Sequence, residues 1–335
     1  MVPLFHENNS VKLRYTGGVL RANQAVRLGL RAASRNPELS FWKALLDQVG
    51  SLIALLPPLL AVLLLAGIGQ EDLLATLPAA AGLQWPVLGG IAAALAIGFT
   101  AGMLFWAGAL PLIAADAEMD RRPPDGNFWL LASRGFARVF VAGGAAYGLA
   151  LLFSLACAAA LFAALPAAVA NPSPLLFAGA ALVAAFALVG SVLLDLLARL
   201  WLLRAAAFGD SVSAAFGKAA SLLSARLGAG LVVTLAFLFL EVIAATAAAM
   251  FTGFISSTSL FEPSAELLAG APRAAVGLAF AAVYAWLEVG RMGALAALAA
   301  DAEGLIAEPQ EPPPSPVPLA EAVIEALPVE EEPQR

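Results

Sequence analysis

Long apolar runs recur along the chain, separated by shorter segments that carry most of its charged residues. Each run is close to the about 20 residues that a helix needs to cross a bilayer. The runs are continuous stretches of Leu, Ala, Val and Phe, whereas a membrane barrel needs short segments that alternate in polarity. We therefore expect an all-α, polytopic membrane bundle with six transmembrane helices. The expected spans are 51–69, 86–110, 139–165, 175–203, 228–254 and 274–298.

The overall composition supports this architecture. Hydrophobic residues make up 61% of the chain and charged residues 13%, whereas about one quarter of a soluble domain is charged. A water-soluble fold could not bury so much apolar surface. The first span is the least regular, because Pro57 and Pro58 predict a kink or a break in its helix.

Basic residues are concentrated in alternate connections between the expected spans, and this asymmetry predicts the orientation of the chain. They precede span one, separate spans two and three, and separate spans four and five, whereas the other three connections contain only Arg273. Since basic loops stay on the inner side of a membrane, we expect the N-terminus, these loops and the C-terminal tail in the cytoplasm. The expected location is the inner (cytoplasmic) membrane of a bacterium.

Short similarities between distant segments predict an internal repeat. GALPLIAADAE at 108–118 matches GALAALAADAE at 293–303, and both segments end a helix that runs towards the cytoplasm. Phe-Trp pairs at 41–42 and 128–129 precede outward-going spans, and SVSAAFGKAASLLSAR at 211–226 takes that place in the third unit. We expect three repeated units, each an interfacial amphipathic helix followed by a transmembrane hairpin. Chance similarity between Ala-rich helices is the alternative explanation.

The segment from Ala205 to Arg226, AAAFGDSVSAAFGKAASLLSAR, enters from one span and leaves into the next. In it, an acidic-glycine turn precedes a small amphipathic helix with Ala, Ser and basic residues. This pattern resembles the loops of bacterial multi-pass proteins related to the glycerophosphodiester phosphodiesterase membrane domain. The resemblance covers a small part of the chain and implies a helical membrane module. It implies no phosphodiesterase activity, because the catalytic domain of that family is a separate unit.

Five charged residues stand inside the expected spans, where each costs at least about 2.5 kcal/mol to insert. Glu241 lies near the middle of span five and should face the bundle interior, either protonated or paired with a cation. Asp195 and Arg199 are four apart in span four, and Glu288 and Arg291 are three apart in span six, so each pair shares a helix face. We expect one intramembrane polar cluster across spans four to six. It is either a pathway or pocket open to the cytoplasm, with Glu241 and Arg291 as ligands for a charged group, or a structural ion-pair network.

A row of arginines marks the N-terminal segment. Arg27, Arg31 and Arg35 recur every four residues with leucines among them, and Arg21 precedes them. The pattern predicts a surface helix between positions 19 and 35. Its four arginines are candidate contacts for anionic lipid headgroups. An orientation-setting cluster of charges explains the same residues equally well.

We divide the chain into a cytoplasmic N-terminal segment with amphipathic surface helices (1–50), a six-span membrane domain (51–304) and a tail (305–335). The tail is rich in Pro and Glu, and we therefore expect it to be disordered and repelled by an anionic membrane surface. Within it, the stretch from Leu319 to Leu327 is a candidate short helix for a protein partner.

Residues suited to metal binding and catalysis are sparse. The chain has one histidine, His6, and one cysteine, Cys157, which excludes the usual zinc sites. We expect no metal and no cofactor. Two acidic pairs at helix ends are expected to be solvated rather than to hold a cation: Asp116 with Glu118, and Asp301 with Glu303.

Three classes of function follow from these observations. A membrane-organising or accessory scaffold protein without a catalytic site is favoured by the repeated interfacial helices and the tail. A transporter or permease that uses the polar cluster of spans four to six is the alternative. A membrane enzyme is disfavoured because no set of nucleophile, base and metal ligands is evident. The expected partners are membrane lipids and a protein bound by the tail, with no nucleic acid.

Overall fold

The computed structural model describes residues 20–66, 77–117, 126–170, 174–259 and 263–306. Every regular element within these residues is an α-helix, which confirms the all-α prediction. The helices of the described residues are α1 (Ala22–Arg35), α2 (Pro37–Ala66), α3 (Leu77–Ala117), α4 (Phe128–Ala170), α5 (Pro174–Ala206), α6 (Val212–Ala225), α7 (Leu227–Ser259) and α8 (Pro263–Ala302).

Six of these helices, α2, α3, α4, α5, α7 and α8, are long and apolar enough to cross a membrane, as predicted. Long helices that follow one another along the chain pack together: α2 with α3, α3 with α4, α4 with α5, and α7 with α8. We call α2 with α3, α4 with α5, and α7 with α8 the three helix pairs. The chain therefore has the helices of a multi-pass membrane protein. The tail from position 307 onwards and His6 lie outside the described residues.

The first long helix differs from its prediction. α2 begins at Pro37 rather than near Ser51, and it continues without interruption through Pro57 and Pro58. Of the predicted kink or break at these prolines, the break is absent, since local adjustments can satisfy the carbonyls that proline frees in a membrane helix. The expected boundary between residues 50 and 51 falls inside α2, so one helix joins the N-terminal segment to the first span.

The helix predicted at the N-terminus is present as α1, but it packs closely against the bundle. Its buried face consists of small residues: Ala25, Gly29, Ala32 and Ala33. A Cβ atom on Gly29 would lie 2.2 Å from the carbonyl oxygen of Gly290 in α8. α1 is therefore a packed helix with one exposed face, because small residues allow two backbones to approach closely.

The best-packed part of the molecule surrounds the last turns of α8. Every side chain from Val289 to Ala300 is buried, and helices α1, α2, α3, α5 and α7 all contact α8. We call this part of the bundle the compact end. It contains α1, α6, residues 103–117 of α3, residues 196–206 of α5 and residues 285–302 of α8.

The opposite end of the bundle is exposed. Along residues 174–195 of α5 and 245–256 of α7, none of the described side chains is buried. Large apolar side chains protrude here, and Phe162 is 81% and Leu175 83% exposed. An apolar surface of this extent needs an apolar solvent, which the hydrocarbon layer of a bilayer supplies.

Three side-chain hydrogen bonds connect the first part of each helix pair to its end. In each bond, the donor is a side chain near the start of the first helix of the pair. The acceptor lies at the end of the second helix or in the turn that follows it. The donors and acceptors are Asn36 to the Asp116 carboxylate, Arg138 to the Gly209 carbonyl, and Arg226 to the Asp301 carboxylate.

The end of α8 is buried, which corrects one expectation. The Asp301 side chain is only 7% exposed and accepts hydrogen bonds from Arg226 and from the backbone N–H of Leu20. Glu303 is bound by the buried guanidinium of Arg204. The predicted solvated helix end is therefore wrong for Asp301, because Leu20, ahead of α1, and Arg226, between α6 and α7, bind its carboxylate. Glu118 lies outside the described residues.

Candidate functional site

The structure brings together the five charged residues that the sequence singled out, and it adds two from α2. Glu288 lies at the centre of the group. Its Oε2 atom is 2.8 Å from Nζ of Lys43, and its Oε1 atom is 3.4 Å from Nη1 of Arg199. Lys43 also binds both carboxylate oxygens of Asp47, one turn along α2, at 2.7 and 2.6 Å. Helices α2, α5 and α8 are therefore joined through one carboxylate.

The second half of the group joins α5, α7 and α8. Nε of Arg199 donates to both oxygens of Asp195 at 3.0 and 2.9 Å. Arg291 lies between two carboxylates, with Nη1 3.7 Å from Asp195 and Nη2 3.6 Å from Glu241. These last two distances are too long for hydrogen bonds. Glu241 is thus held only by a loose ion pair.

The seven residues form one continuous sequence of alternating charges, which we call the charge chain. It contains three cations and four carboxylates, so the carboxylates outnumber the cations by one. The order of contacts is Asp47, Lys43, Glu288, Arg199, Asp195, Arg291 and Glu241.

The charge chain lies where the compact end meets the exposed end. Beyond it, α2 has no charged residue at 48–66, α5 has none at 174–194, and α7 has none at 242–259. Each of these stretches is close to the about 20 residues that cross a hydrocarbon layer. In a membrane, the charge chain would therefore lie at one boundary of the apolar layer, where charged side chains are best tolerated.

Arg291 is the least satisfied member of the charge chain. Its side chain is 7% exposed, and it makes no hydrogen bond to another described residue. The Nε–H group is buried without a partner. A guanidinium has five N–H donors, and leaving buried ones unused costs free energy. Arg291 therefore has capacity for a further acceptor.

A cavity of about 80 Å³ adjoins the charge chain between α4 and α5. Its polar lining comes from Tyr147, Ser154, Ser191 and Asp195, and apolar side chains complete the wall. The Asp195 side chain is 36% exposed, although it also binds Arg199. The cavity therefore provides access to one carboxylate of the charge chain.

The arginines of α1 occupy the face of that helix opposite its buried face. Arg21, Arg27, Arg31 and Arg35 are all exposed. They lie at the compact end, on the same side of the charge chain as α6. The structure thus separates the two predicted sites: the arginine row lies on the surface and the charged cluster lies inside the bundle.

Lys43 and Asp47 were missed as members of the cluster. In the sequence, Lys43 is one of several basic residues ahead of the first apolar run, and such residues are also explained by the orientation of the chain. The sequence did contain an indication of this pairing: Lys43 and Asp47 are four residues apart, as Asp195 and Arg199 are. Because α2 begins at Pro37, both residues lie inside a helix long enough to cross the membrane.

In the part of the chain that the structure describes, no group of three or more His, Cys, Asp or Glu side chains is arranged to hold a metal ion. Comparison of the chain with family models, curated proteins and solved structures finds no match. A functional proposal therefore has to rest on the residues themselves.

Proposed function

We propose that the chain is a non-catalytic membrane-organising or accessory protein of the bacterial inner membrane, whose helix α1 binds anionic lipid headgroups. One observation carries this proposal: α1 is packed closely on α8 while its arginine row stays exposed. Gly29 contacts the backbone of Gly290, so the arginines project from a fixed helix. Each basic residue near an anionic membrane surface contributes about 1 kcal/mol of attraction.

The proposed orientation places the compact end in the cytoplasm. Its support is the distribution of basic residues, because Arg273 is the only described Lys or Arg beyond the charge chain on the exposed end. Basic residues stay on the inner side of a membrane. The resemblance of the 205–226 segment to bacterial multi-pass proteins supports a bacterial inner membrane.

We also propose that the chain consists of three repeated units. Three hydrogen bonds support this proposal. Each joins the start of one helix pair to the end of that pair, and the donors are Asn36, Arg138 and Arg226. The residues Asp116, Asp210 and Asp301 recur at nearly even intervals along the chain and mark these ends. In the middle unit, α4 continues from Phe128 without a separate short helix.

In this proposal the charge chain has a structural role. It joins α2, α5, α7 and α8 at the level where their apolar stretches begin, and it holds the compact end together. Breaking one partner out of such a network destabilises a protein far more than the intact network stabilises it. The tail from 305 to 335 is the proposed segment for a protein partner, by virtue of its Pro- and Glu-rich composition.

The lipid proposal is tested with purified protein in a neutral detergent. Addition of phosphatidylglycerol should raise its thermal unfolding midpoint, Tm, more than addition of phosphatidylcholine does, and high salt should reduce the difference. The triple variant Arg27→Gln, Arg31→Gln, Arg35→Gln should lose the difference between the two lipids. The matched variant with Lys at the same three positions should keep most of it, since attraction to headgroups depends chiefly on charge. Equal responses of the native and Gln variants would contradict the proposal.

A transporter is the second candidate, and the unsatisfied guanidinium of Arg291 favours it. Glu241 and Asp195 lie 3.6 and 3.7 Å from the Arg291 guanidinium, too far for hydrogen bonds. Its N–H donors are therefore open to an acceptor group on a substrate. A thermal-shift screen of small soluble anions would test this role. One solute should stabilise the native protein specifically, and Glu241→Gln should change that response without loss of the folded protein. A uniform lack of response across the screen speaks against transport through this site.

A further inference from the structure

The cavity between α4 and α5 has a lining that accepts hydrogen bonds. Ser191 and Asp195 are four apart on α5, and Tyr147 and Ser154 are seven apart on α4, so each pair lies on the helix face that borders the cavity. A carboxylate has about four positions for hydrogen bonds, and Arg199 occupies two of those of Asp195. Acceptor positions on Asp195 therefore remain open towards the cavity.

The serine hydroxyls of this cavity have no hydrogen-bond partner among the described residues. Several other hydroxyls on the long helices bond to their own backbone, as Ser51 does to Asp47, Thr100 to Ala96 and Thr246 to Val242, whereas those of Ser40 and Thr234 are buried without a partner. Neither Ser154 nor Ser191 makes a hydrogen bond to another described residue. Because Ser191 lies within the uncharged stretch of α5, its free hydroxyl would be costly beside hydrocarbon alone. A polar occupant removes that cost.

The charge of the site selects a cation. The charge chain carries four carboxylates against three cations, and Asp195 is the carboxylate that faces the cavity. Two cations already flank Asp195, Arg199 at 2.9 Å and Arg291 at 3.7 Å. A single positive charge in the cavity would bring the net charge of the whole charge chain from −1 to zero, and charges near an apolar layer are stable only when paired.

We propose that this cavity binds a primary ammonium group. An ammonium has three N–H donors and no acceptor, which matches a carboxylate flanked by free hydroxyls. The volume of about 80 Å³ admits a group of this size with its attached carbon atoms. This site is separate from the proposed lipid contact, because the cavity lies between α4 and α5 whereas the arginine row lies on α1.

Two sources can supply this group: the headgroup of an amine-bearing lipid, or a small soluble amine. The position of the cavity supports access for both. It lies at the boundary of the apolar layer beside the charge chain, and it opens between two helices whose outer faces carry exposed apolar side chains such as Leu152 and Leu188. An acyl chain could lie along these faces while its headgroup reaches Asp195.

The test uses the purified full chain in a neutral detergent and compares ligands that differ only in their N–H groups. Phosphatidylethanolamine should raise Tm by about 3 °C or more over phosphatidylcholine with the same acyl chains, since the trimethylated headgroup has no N–H donor. Ethanolamine compared with choline tests the soluble source. A response to the lipid alone identifies a lipid headgroup, and a response to ethanolamine alone identifies a soluble amine. Equal Tm values within both pairs of ligands would overturn the proposal.

Variants locate the response. The double variant Ser154→Ala, Ser191→Ala removes two acceptors without touching the ion pairs, so it should fold normally and lose most of the amine-dependent shift. Thr246→Ala is the matched control, because its hydroxyl lies on α7 and bonds to its own helix. An unchanged amine response in the double variant would place the binding elsewhere and refute the assignment to this cavity. The arginine variants of α1 should leave this response intact.

Discussion

At the scale of single residues, Glu288 is the member of the charge chain that joins α2 to α5. It accepts from Lys43 of α2 at 2.8 Å and lies 3.4 Å from Arg199 of α5. Lys43 and Arg199 have side chains that are only 9% and 11% exposed. Both cations are largely shielded from water, and loss of the Glu288 charge leaves each with one carboxylate, Asp47 for Lys43 and Asp195 for Arg199, in surroundings that disfavour charge.

Glu288→Gln should therefore destabilise the protein by about 2–3 kcal/mol, somewhat less than the loss of a partner from a fully buried ion pair. The measurement is thermal or denaturant unfolding of the purified protein in detergent. Glu38→Gln is the matched control, because Glu38 is exposed in the first turn of the same α2 helix that carries Lys43. It should change stability by less than about 1 kcal/mol.

A second variant separates the charge effect from a packing effect. Adding Lys43→Met to Glu288→Gln removes one of the two cations that lost a partner, while the Asp47 side chain, which is 47% exposed, can be solvated. The double variant should recover part of the lost stability. Additive losses from the two substitutions would show that Lys43 and Glu288 are not energetically coupled.

The sequence predicted the five residues of the cluster in α5, α7 and α8 because each interrupts an apolar run. It did not predict Lys43 and Asp47, since charges at the edge of an apolar run are also what sets orientation. The pairing order could not be derived either. Glu288 and Arg291 share a helix face, yet they bind different neighbours: Glu288 contacts α2 and α5, whereas Arg291 contacts α5 and α7.

At the scale of helices, the contact between α1 and α8 decides how α1 presents its arginines. The sequence revealed the arginine row but not the buried face, because Ala and Gly add little to a hydrophobic pattern. These residues matter because they are small enough for α1 to approach α8 closely, and the sequence of α1 alone does not show that contact. The longer helices were easier to predict: α5 and α7 begin and end within a few residues of the expected spans.

Gly29→Ala should displace α1. The added Cβ would meet the Gly290 carbonyl oxygen at 2.2 Å and the Ala294 nitrogen at 2.6 Å, and both are backbone atoms that cannot move aside alone. We expect a loss of about 1–3 kcal/mol, as for overpacking of a tight core. Trypsin should then cleave faster at the arginines of α1, which gives a readout specific to this helix.

Gly98→Ala provides the control for that substitution. A Cβ on Gly98 in α3 would meet no atom within 4 Å, so the variant should keep or slightly raise stability through the higher helix propensity of alanine. If Gly29→Ala behaved like Gly98→Ala in both assays, the close packing of α1 on α8 would be refuted. The lipid proposal would then lose its fixed arginine row.

At the scale of the whole molecule, the asymmetry between the two ends determines how the protein sits in a membrane. Apart from Arg273, the described basic residues outside the charge chain lie at the compact end, with the buried turns of α8 and the two short helices. The exposed end carries apolar helical stretches with protruding Leu and Phe side chains. The sequence predicted this division through the positions of its basic residues, whereas the dense packing at one end required the structure.

The proposed orientation predicts opposite labelling of two engineered cysteines. In a Cys157→Ser background, Ser34→Cys lies on the exposed face of α1 and Ala271→Cys on the exposed end of α8. A membrane-impermeant maleimide added to intact bacterial cells should label the cysteine at 271 and leave that at 34 unlabelled until the membrane is opened. The two sites lie on opposite sides of the apolar layer, so each is the control for the other. Labelling at 34 in intact cells would show that the orientation is the reverse of the proposed one. The α1 arginines would then lie away from the cytoplasmic leaflet, whose anionic headgroups they are proposed to bind.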